Sequence, residues 1–192
     1  TTTGDIYTTA IGNNANNGTS PSTPKATLTN VWTTYGPSGT NVLTAGDTVF
    51  VDAGTYLQTE QDLYLTVPIV VAGAGMSQTI FDNNNAGLTG SGFVRIGAGV
   101  HLQNFKITRY GRQNTYAHAI HVESGITGVQ IEAIYIDNCG RDSGLYPIEV
   151  FPGAEVDFIG GGATCNSLLQ SGGVRVQGAT TNVSFVNYVF YE

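Results

Sequence analysis

The chain has 192 residues, of which 41% are hydrophobic and only 11% are charged, and its formal net charge at pH 7 is -7. This acidic balance disfavours nucleic acid, which attracts basic surfaces, and it disfavours anionic membranes. Every apolar run is shorter than the roughly 20 residues of a membrane-spanning helix, so membrane insertion is not predicted. The 26 glycines and the few charges are typical of short strands joined by tight turns.

Residues 1–46 are predicted to form an N-terminal cap. A short strand over residues 5–11 is followed by a polar loop. Ser22 or Thr23 can cap a helix that has Pro24 at its first position. An amphipathic helix over about residues 24–35 is predicted from apolar residues at helical spacing: Leu28, Val31, Trp32 and Tyr35. Such a helix can cover the open end of a stack of strands.

From residue 47 onward the chain is predicted to form stacked coils. One phrase recurs at intervals of 26, 28 and 26 residues: Val94-Arg95-Ile96, Ile120-His121-Val122, Ile148-Glu149-Val150 and Val174-Arg175-Val176. A second phrase follows each copy, at intervals of 29, 27 and 27 residues: Val100-His101-Leu102, Val129-Gln130-Ile131, Val156-Asp157-Phe158 and Val183-Ser184-Phe185. Period-2 strands repeated at this distance predict a β-solenoid over residues 47–192.

Stacked coils place equivalent residues in columns. The central residues of the first phrase would form one outward column: Arg95, His121, Glu149 and Arg175. This column is either a binding stripe or a solvated ladder of weak surface ion pairs. The last predicted strand, near residues 188–190, would leave an apolar coil uncovered. Further coils of a longer protein, or a capping or secretion partner, are therefore expected at that end.

Cys139 and Cys165 lie 26 residues apart, which is one repeat period. Neighbouring coils would bring the two residues close together. A disulfide that links two coils and a stack of two small buried side chains both fit this spacing. Two thiols without a histidine pair do not form a metal site.

Over essentially its whole length, the chain resembles the pectate-lyase-like superfamily of secreted right-handed parallel β-helix proteins. The residues that carry the likeness are 12–21, 24–28, 46–56, 70–75 and 79–82. The resemblance implies an all-β, right-handed, single-stranded parallel β-helix with an N-terminal amphipathic capping helix. Its members include polysaccharide lyases, glycoside hydrolases, tail spikes and large bacterial surface adhesins, so the likeness leaves the function open.

Two loops, residues 109–116 and 139–146, precede copies of the first phrase and share one edge of the solenoid. Tyrosine offers a flat face to sugar rings, and arginine offers a forked donor to carboxylates. The predicted ligand-binding residues are Tyr110, Arg112, Tyr116, His121, Arg141, Tyr146 and Glu149. The alternative is that the tyrosines pack over the coil edge while the arginines are solvated.

No catalytic residues are predicted, because the carboxylates are scattered along the sequence and lysine is scarce. If the chain is enzymatic, His121, Glu149 and Arg175 are the first catalytic candidates, and a lyase would require calcium or an arginine. No metal site is predicted from His118 and His121, because residues three apart in a strand point to opposite faces.

The expected function is that of a secreted or cell-surface β-helix module of a larger bacterial protein. It would serve adhesion, carbohydrate binding or rigid presentation, with a polysaccharide or surface glycan as partner and without a cofactor. The alternative is that these are the N-terminal coils of a polysaccharide lyase or glycoside hydrolase.

Overall fold

The computed structural model describes residues 5–39, 42–57, 63–84, 92–110, 118–140, 146–164, 173–178 and 181–191. The described chain is an all-β parallel solenoid of about four turns with one short helix near its N-terminus, which confirms the predicted fold class. All the strand pairs are parallel, because each strand pairs with its equivalent one coil away.

One side of the solenoid is a five-stranded sheet. Its strands in chain order are β4 (Leu63–Leu65), β7 (Gly92–Ile96), β9 (His118–Val122), β11 (Ile148–Val150) and β13 (Val174–Val176). The register pairs Val94 with Ile120, Ile120 with Ile148 and Ile148 with Val174. The first residues of the repeated phrase therefore form an inward column, which begins one coil earlier, at Leu63.

The other strands form a ten-stranded sheet. They are β1 (Ile6–Thr8), β2 (Thr48–Val51), β3 (Gly54–Leu57), β5 (Val70–Gly73), β6 (Thr79–Asp82), β8 (His101–Thr108), β10 (Val129–Asp137), β12 (Glu155–Thr164), β14 (Asn182–Val186) and β15 (Val189–Tyr191). The first half of β8 pairs with β5, and its second half pairs with β6. This sheet therefore supplies two sides of each coil.

The bend between these two sides uses a left-handed backbone at one stacked position. The residues there are Asn104, Ala133 and Gly160, whose φ angles are 64°, 48° and 61°. Their flanking residues pair in register from β8 through β10 to β12. Asparagine and glycine tolerate this conformation, whereas alanine pays for the close approach of its Cβ to the backbone.

The core fills the interior of the coils. Aromatic rings from both sheets meet there: the centroid of Phe81 lies 4.7 Å from that of Phe93 and 5.2 Å from that of Phe105. Cys139 is a buried free thiol, and burial raises its pKa to about 12. Cys165 lies outside the described residues. A buried small side chain, rather than a disulfide, is what the structure shows at Cys139.

Helix α1 spans Leu28–Tyr35, so it begins four residues later than the sequence predicts. Thr27 is the N-cap and accepts a hydrogen bond from the Asn30 backbone N–H at 3.1 Å. The chain before it is extended, because Lys25 pairs with Thr8 of β1. Leu28, Val31 and Tyr35 are buried, which confirms the predicted apolar face.

The far end of the solenoid is apolar and open in the described residues. Six hydrophobic side chains of the last coil are between 40% and 50% exposed: Val176, Phe185, Val186, Val189, Phe190 and Tyr191. Val176, Phe185 and Phe190 pair with Val150, Phe158 and Ala163 of the preceding coil, which are completely buried. The last described coil therefore has the apolar residues of an interior coil, but no further described coil covers them.

Substituting Ala133→Gly should stabilise the protein by about 0.5–1 kcal/mol, because glycine relieves the left-handed strain at the bend. The control is Ala53→Gly at an exposed turn residue without a positive φ, which should lose about 0.5 kcal/mol through unfolded-state entropy. Urea unfolding measures both changes. Equal losses in the two variants would show that Ala133 carries no strain.

Candidate functional site

The outer face of the five-stranded sheet carries a continuous polar column. Register places Tyr64 beside Arg95, Arg95 beside His121, His121 beside Glu149, and Glu149 beside Arg175. The predicted column of four residues is confirmed, and Tyr64 adds a fifth member. Because neighbouring strands are about 4.8 Å apart, the column from Arg95 to Arg175 spans about 14 Å.

Glu149 is the buried member of this column and is only 5% exposed. Its Oε1 accepts a hydrogen bond from Gln177 Nε2 at 2.6 Å and lies 3.3 Å from Arg175 Nη1. Its Oε2 lies 2.7 Å from His118 Nε2. The alternative of a solvated ladder is therefore wrong at this point, because a buried carboxylate requires several partners to offset its desolvation.

His118 is held at the start of β9, where the coil turns onto the sheet. It pairs with Gly92, and a Cβ on Gly92 would lie 1.6 Å from the His118 carbonyl oxygen, so only glycine allows this approach. The His118 Nδ1 lies 2.6 Å from the carbonyl oxygen of Tyr146, to which it donates. This bond directs Nε2 towards Glu149.

The prediction that His118 and His121 point to opposite faces is wrong. Their ring centroids lie 6.0 Å apart, and both rings approach Glu149. Strict alternation holds inside a strand, but His118 is the first residue of β9, and His118, Ala119 and Ile120 are all buried in succession. The turn of the coil thus brings the two rings together.

His121 is half-buried and stacks on Phe151, with ring centroids 4.6 Å apart and planes inclined by 28°. Its Nε2 lies 3.3 Å from Glu123 Oε1. Burial lowers the pKa of His121 below its ordinary value, and this outweighs the attraction of Glu123 for a proton. The ring is therefore held as a neutral imidazole near pH 7, with a lone pair available.

Two arginines flank this buried centre. The guanidinium of Arg95 lies over the ring of Tyr64, at 4.6 Å from its centroid, and pairs with Glu123. The guanidinium of Arg175 lies over the ring of Tyr146 at 5.6 Å. The two arginine side chains are 39% and 48% exposed. Each guanidinium is therefore held by an aromatic ring and by an acidic partner, Glu123 for Arg95 and Glu149 for Arg175, while part of its side chain stays in solvent.

The structure brings four of the predicted site residues together: His121, Tyr146, Glu149 and Arg175. Tyr110 is a wrong prediction, because its side chain is completely buried and its ring lies 5.5 Å from that of Phe93 in the core. The remaining predicted residues lie outside the described residues: Arg112, Tyr116 and Arg141.

Sequence reasoning missed four residues of the site: Tyr64, His118, Glu123 and Gln177. Tyr64 stands in an earlier copy of the apolar–polar–apolar phrase, which extending the repeat towards the N-terminus would find. Glu123 and Gln177 each follow the last residue of the phrase, so they share a second column. His118 stands one repeat period after Gly92, so the repeat gives its position but not the direction of its ring at the turn.

A second polar group lies on the ten-stranded sheet. Arg109 Nε donates to Asp82 Oδ1 at 2.7 Å, and Lys106 Nζ lies 2.8 Å from Asp137 Oδ2. Thr164 Oγ1 donates to the other oxygen of Asp137 at 2.8 Å. Each acid here faces its own cation, so this group is a structural ladder between coils rather than a convergent site.

Comparison with known proteins bears on the fold. No family model matches the sequence, and no curated protein matches it either. Among solved structures, a rhamnogalacturonan lyase is similar, with a TM-score of 0.68 and 15% sequence identity. The alignment covers 96% of this chain and 56% of the lyase chain, so this chain spans little more than half of that enzyme's length. The similarity shows that the two share a β-helix fold, as the pectate-lyase-like resemblance implies.

In the described part of the chain, no helix has both the length and the apolar character needed to cross a bilayer.

Acid should destabilise the protein partly through Asp82. Burial alone raises the pKa of Asp82, but hydrogen bonds from Arg109 and from the Asn84 N–H, together with the charges of Arg109 and Lys106, hold that pKa below its ordinary value. A lowered pKa in the folded state stabilises the fold above the unfolded value of about 3.9, and this contribution disappears as pH falls through the folded-state pKa.

Asp82→Asn should therefore lower the free energy of unfolding by about 1–2 kcal/mol at pH 7, and the deficit should shrink below pH 4. Chemical unfolding at a series of pH values measures this difference. Glu155→Gln, which removes an exposed carboxylate, is the control for net charge. A deficit that stays constant down to the lowest pH would contradict the assigned role.

Proposed function

We propose that this chain is a carbohydrate-binding β-helix module that holds an acidic polysaccharide along the outer face of its five-stranded sheet. The observation that supports it is the pair of arginine–tyrosine stacks, Arg95 on Tyr64 and Arg175 on Tyr146, at the two ends of one straight column. Guanidinium groups bind sugar carboxylates through two parallel hydrogen bonds, and exposed aromatic rings pack against sugar rings.

The geometry suits a chain ligand better than a compact one. The column is linear and about 14 Å long between its arginines, and the parallel stacking of coils keeps it straight. The formal net charge of -7 opposes an acidic ligand at long range. Binding would therefore depend on short-range contacts with the two arginines, and it should weaken with salt less than binding to a uniformly basic surface.

Such a ligand places the module outside the cell. Secretion or cell-surface display accords with the low charge content and with the early-coil residues that resemble secreted β-helix proteins. Adhesion is then a consequence of binding a surface glycan, and rigid presentation is a property of the stacked coils.

Substituting Arg175→Ala should weaken binding to polygalacturonate or rhamnogalacturonan at least tenfold, because it removes a charge-assisted pair of hydrogen bonds. Arg175→Lys should recover only part of the affinity, because lysine keeps the charge and lacks the fork. Titration calorimetry with defined oligosaccharides measures both values.

Tyr64→Ala tests the aromatic contribution, and Phe50→Ala is its matched control. The two residues are 41% and 39% exposed and lie on different sheets, so only the first should reduce affinity. Equal affinities of the wild-type chain, Arg175→Ala and Tyr64→Ala would refute binding at this face.

A second candidate is a polysaccharide lyase, supported by the structural similarity to the rhamnogalacturonan lyase and by His121 and Arg175, which lie on either side of Glu149 in the column. In this scheme Arg175 pairs with the uronate carboxylate and His121 takes the proton from the carbon beside it. The carbon–oxygen bond to the next sugar then breaks, a carbon–carbon double bond forms, and the leaving oxygen takes a proton from water.

Incubation of the protein with the same polysaccharides distinguishes the binding module from the lyase. Elimination produces an unsaturated sugar that absorbs in the ultraviolet, whereas hydrolysis yields reducing ends without that absorbance. Addition and removal of calcium tests whether the lyase reaction needs this ion. Binding without any product favours the binding module.

We also propose that the open apolar end is covered by further coils of the same topology. The support is the half-exposed Val176, Phe185 and Phe190, which pair with the completely buried Val150, Phe158 and Ala163 of the preceding coil. The intact mass of the protein isolated from its source should then be well above 20.1 kDa. A mass that equals 20.1 kDa would indicate instead that a capping or secretion partner covers the apolar end.

A further inference from the structure

The buried centre of the outer face has the composition of a metal site. One ligand atom from each of His118, His121 and Glu149 lies within 4.8 Å of the other two. We propose that these three side chains bind one divalent transition-metal ion, with Zn²⁺ as the representative ion. The proposal goes beyond carbohydrate binding and does not depend on it.

The hydrogen-bond pattern of His118 calls for a positive charge between the ring and the carboxylate. Its Nδ1 must carry a proton, since the Tyr146 carbonyl oxygen 2.6 Å away can only accept. A neutral ring then presents a lone pair on Nε2 to Glu149 Oε2, at 2.7 Å. Two buried lone pairs at this distance repel each other, so either a second proton or a metal ion is needed there.

The surrounding residues orient the ligands as outer partners do in metal sites. The Tyr146 carbonyl fixes the tautomer and the direction of His118. Gln177 and Arg175 occupy Glu149 Oε1 and leave Oε2 turned towards the histidine. Phe151 holds the plane of the His121 ring by stacking. Each ligand is therefore held by a separate contact.

Burial and spacing favour a small, borderline-soft ion. The side chains of His118 and Glu149 are 6% and 7% exposed. Two imidazoles and one carboxylate suit Zn²⁺, whereas Ca²⁺ and Mg²⁺ prefer a shell of oxygen ligands. Bonds of about 2.0–2.2 Å to a tetrahedral ion separate its ligands by about 3.3 Å. A slight outward rotation of Glu149 from its 2.7 Å contact would reach this spacing.

The neighbouring charges are compatible with a divalent ion. Glu123 lies beside His121 and pairs with Arg95, and Arg175 pairs with Glu149. The Arg175 side chain is 48% exposed, so it can turn towards solvent when the ion neutralises Glu149. Three protein ligands leave one position of a four-coordinate ion for water or for an oxygen of a bound sugar.

The test is calorimetric titration of the untagged, chelator-treated chain with zinc chloride in the absence of any polysaccharide. We expect one ion per chain and a rise in melting temperature that grows with zinc concentration. Magnesium and calcium chlorides should give neither effect. Co²⁺ should give the intense visible absorption of a four- or five-coordinate ion, which reports its geometry directly.

The variants His121→Gln and Glu149→Gln should each weaken zinc binding about 100-fold or more. His101→Gln is the matched control. His101 also pairs with a glutamate, Glu132, at 2.9 Å, but it lies on the other sheet and is not one of the three proposed ligands. Circular dichroism confirms that each variant is folded.

The proposal would be overturned if the wild-type chain and His121→Gln bound zinc with equal affinity. It would also be overturned if Co²⁺ gave only the weak absorption that is typical of the six-coordinate aqueous ion. The polysaccharide titrations should be run with a chelator present, so that a failure of zinc binding leaves their result unaffected. Loss of polysaccharide binding with intact zinc binding would sink the proposed function alone.

Discussion

Parallel backbone pairing between successive coils is the constraint on which the rest of the structure depends. Each strand meets its equivalent about 4.8 Å away, so one position of the repeat meets the same position of the next coil. Apolar positions then form columns that fill the interior, and polar positions form columns outside. A short phrase repeated in sequence thus becomes both a core and a straight surface stripe.

The polar stripe gains its chemistry from the points where the repeat is imperfect. Within the strands, Arg95, His121, Glu149 and Arg175 stack as neighbours, which would give a surface ladder of modest energy. The turn into β9 adds His118 behind this ladder and buries Glu149 against it. The buried carboxylate of Glu149 interacts more strongly with its partners than an exposed ion pair would, because electrostatic interactions are stronger away from water.

The flanking arginines and the buried centre serve different purposes on one face. Arg95 and Arg175 lie over tyrosine rings at the edges, and their side chains are partly exposed. His118, His121 and Glu149 are enclosed between them and are held by backbone and side-chain partners. The proposed ligand and the proposed ion would therefore occupy adjacent places, with the ion beneath the ligand.

The amino-acid sequence determined the coil architecture, the inward columns and the outward column, because these follow from periodicity and from residue polarity alone. Only the tertiary structure decided which outward residues are buried and which converge. Tyr110 lies in the core although its loop predicts a surface position, and His118 joins His121 although strand alternation predicts opposite faces. Both outcomes depend on how the chain turns at the coil corners, where hydrogen bonds such as that from His118 to Tyr146, and close approaches such as that at Gly92, set the side-chain directions. Those contacts join residues one repeat period apart, so periodicity predicts that the residues are neighbours but does not predict the direction of their side chains.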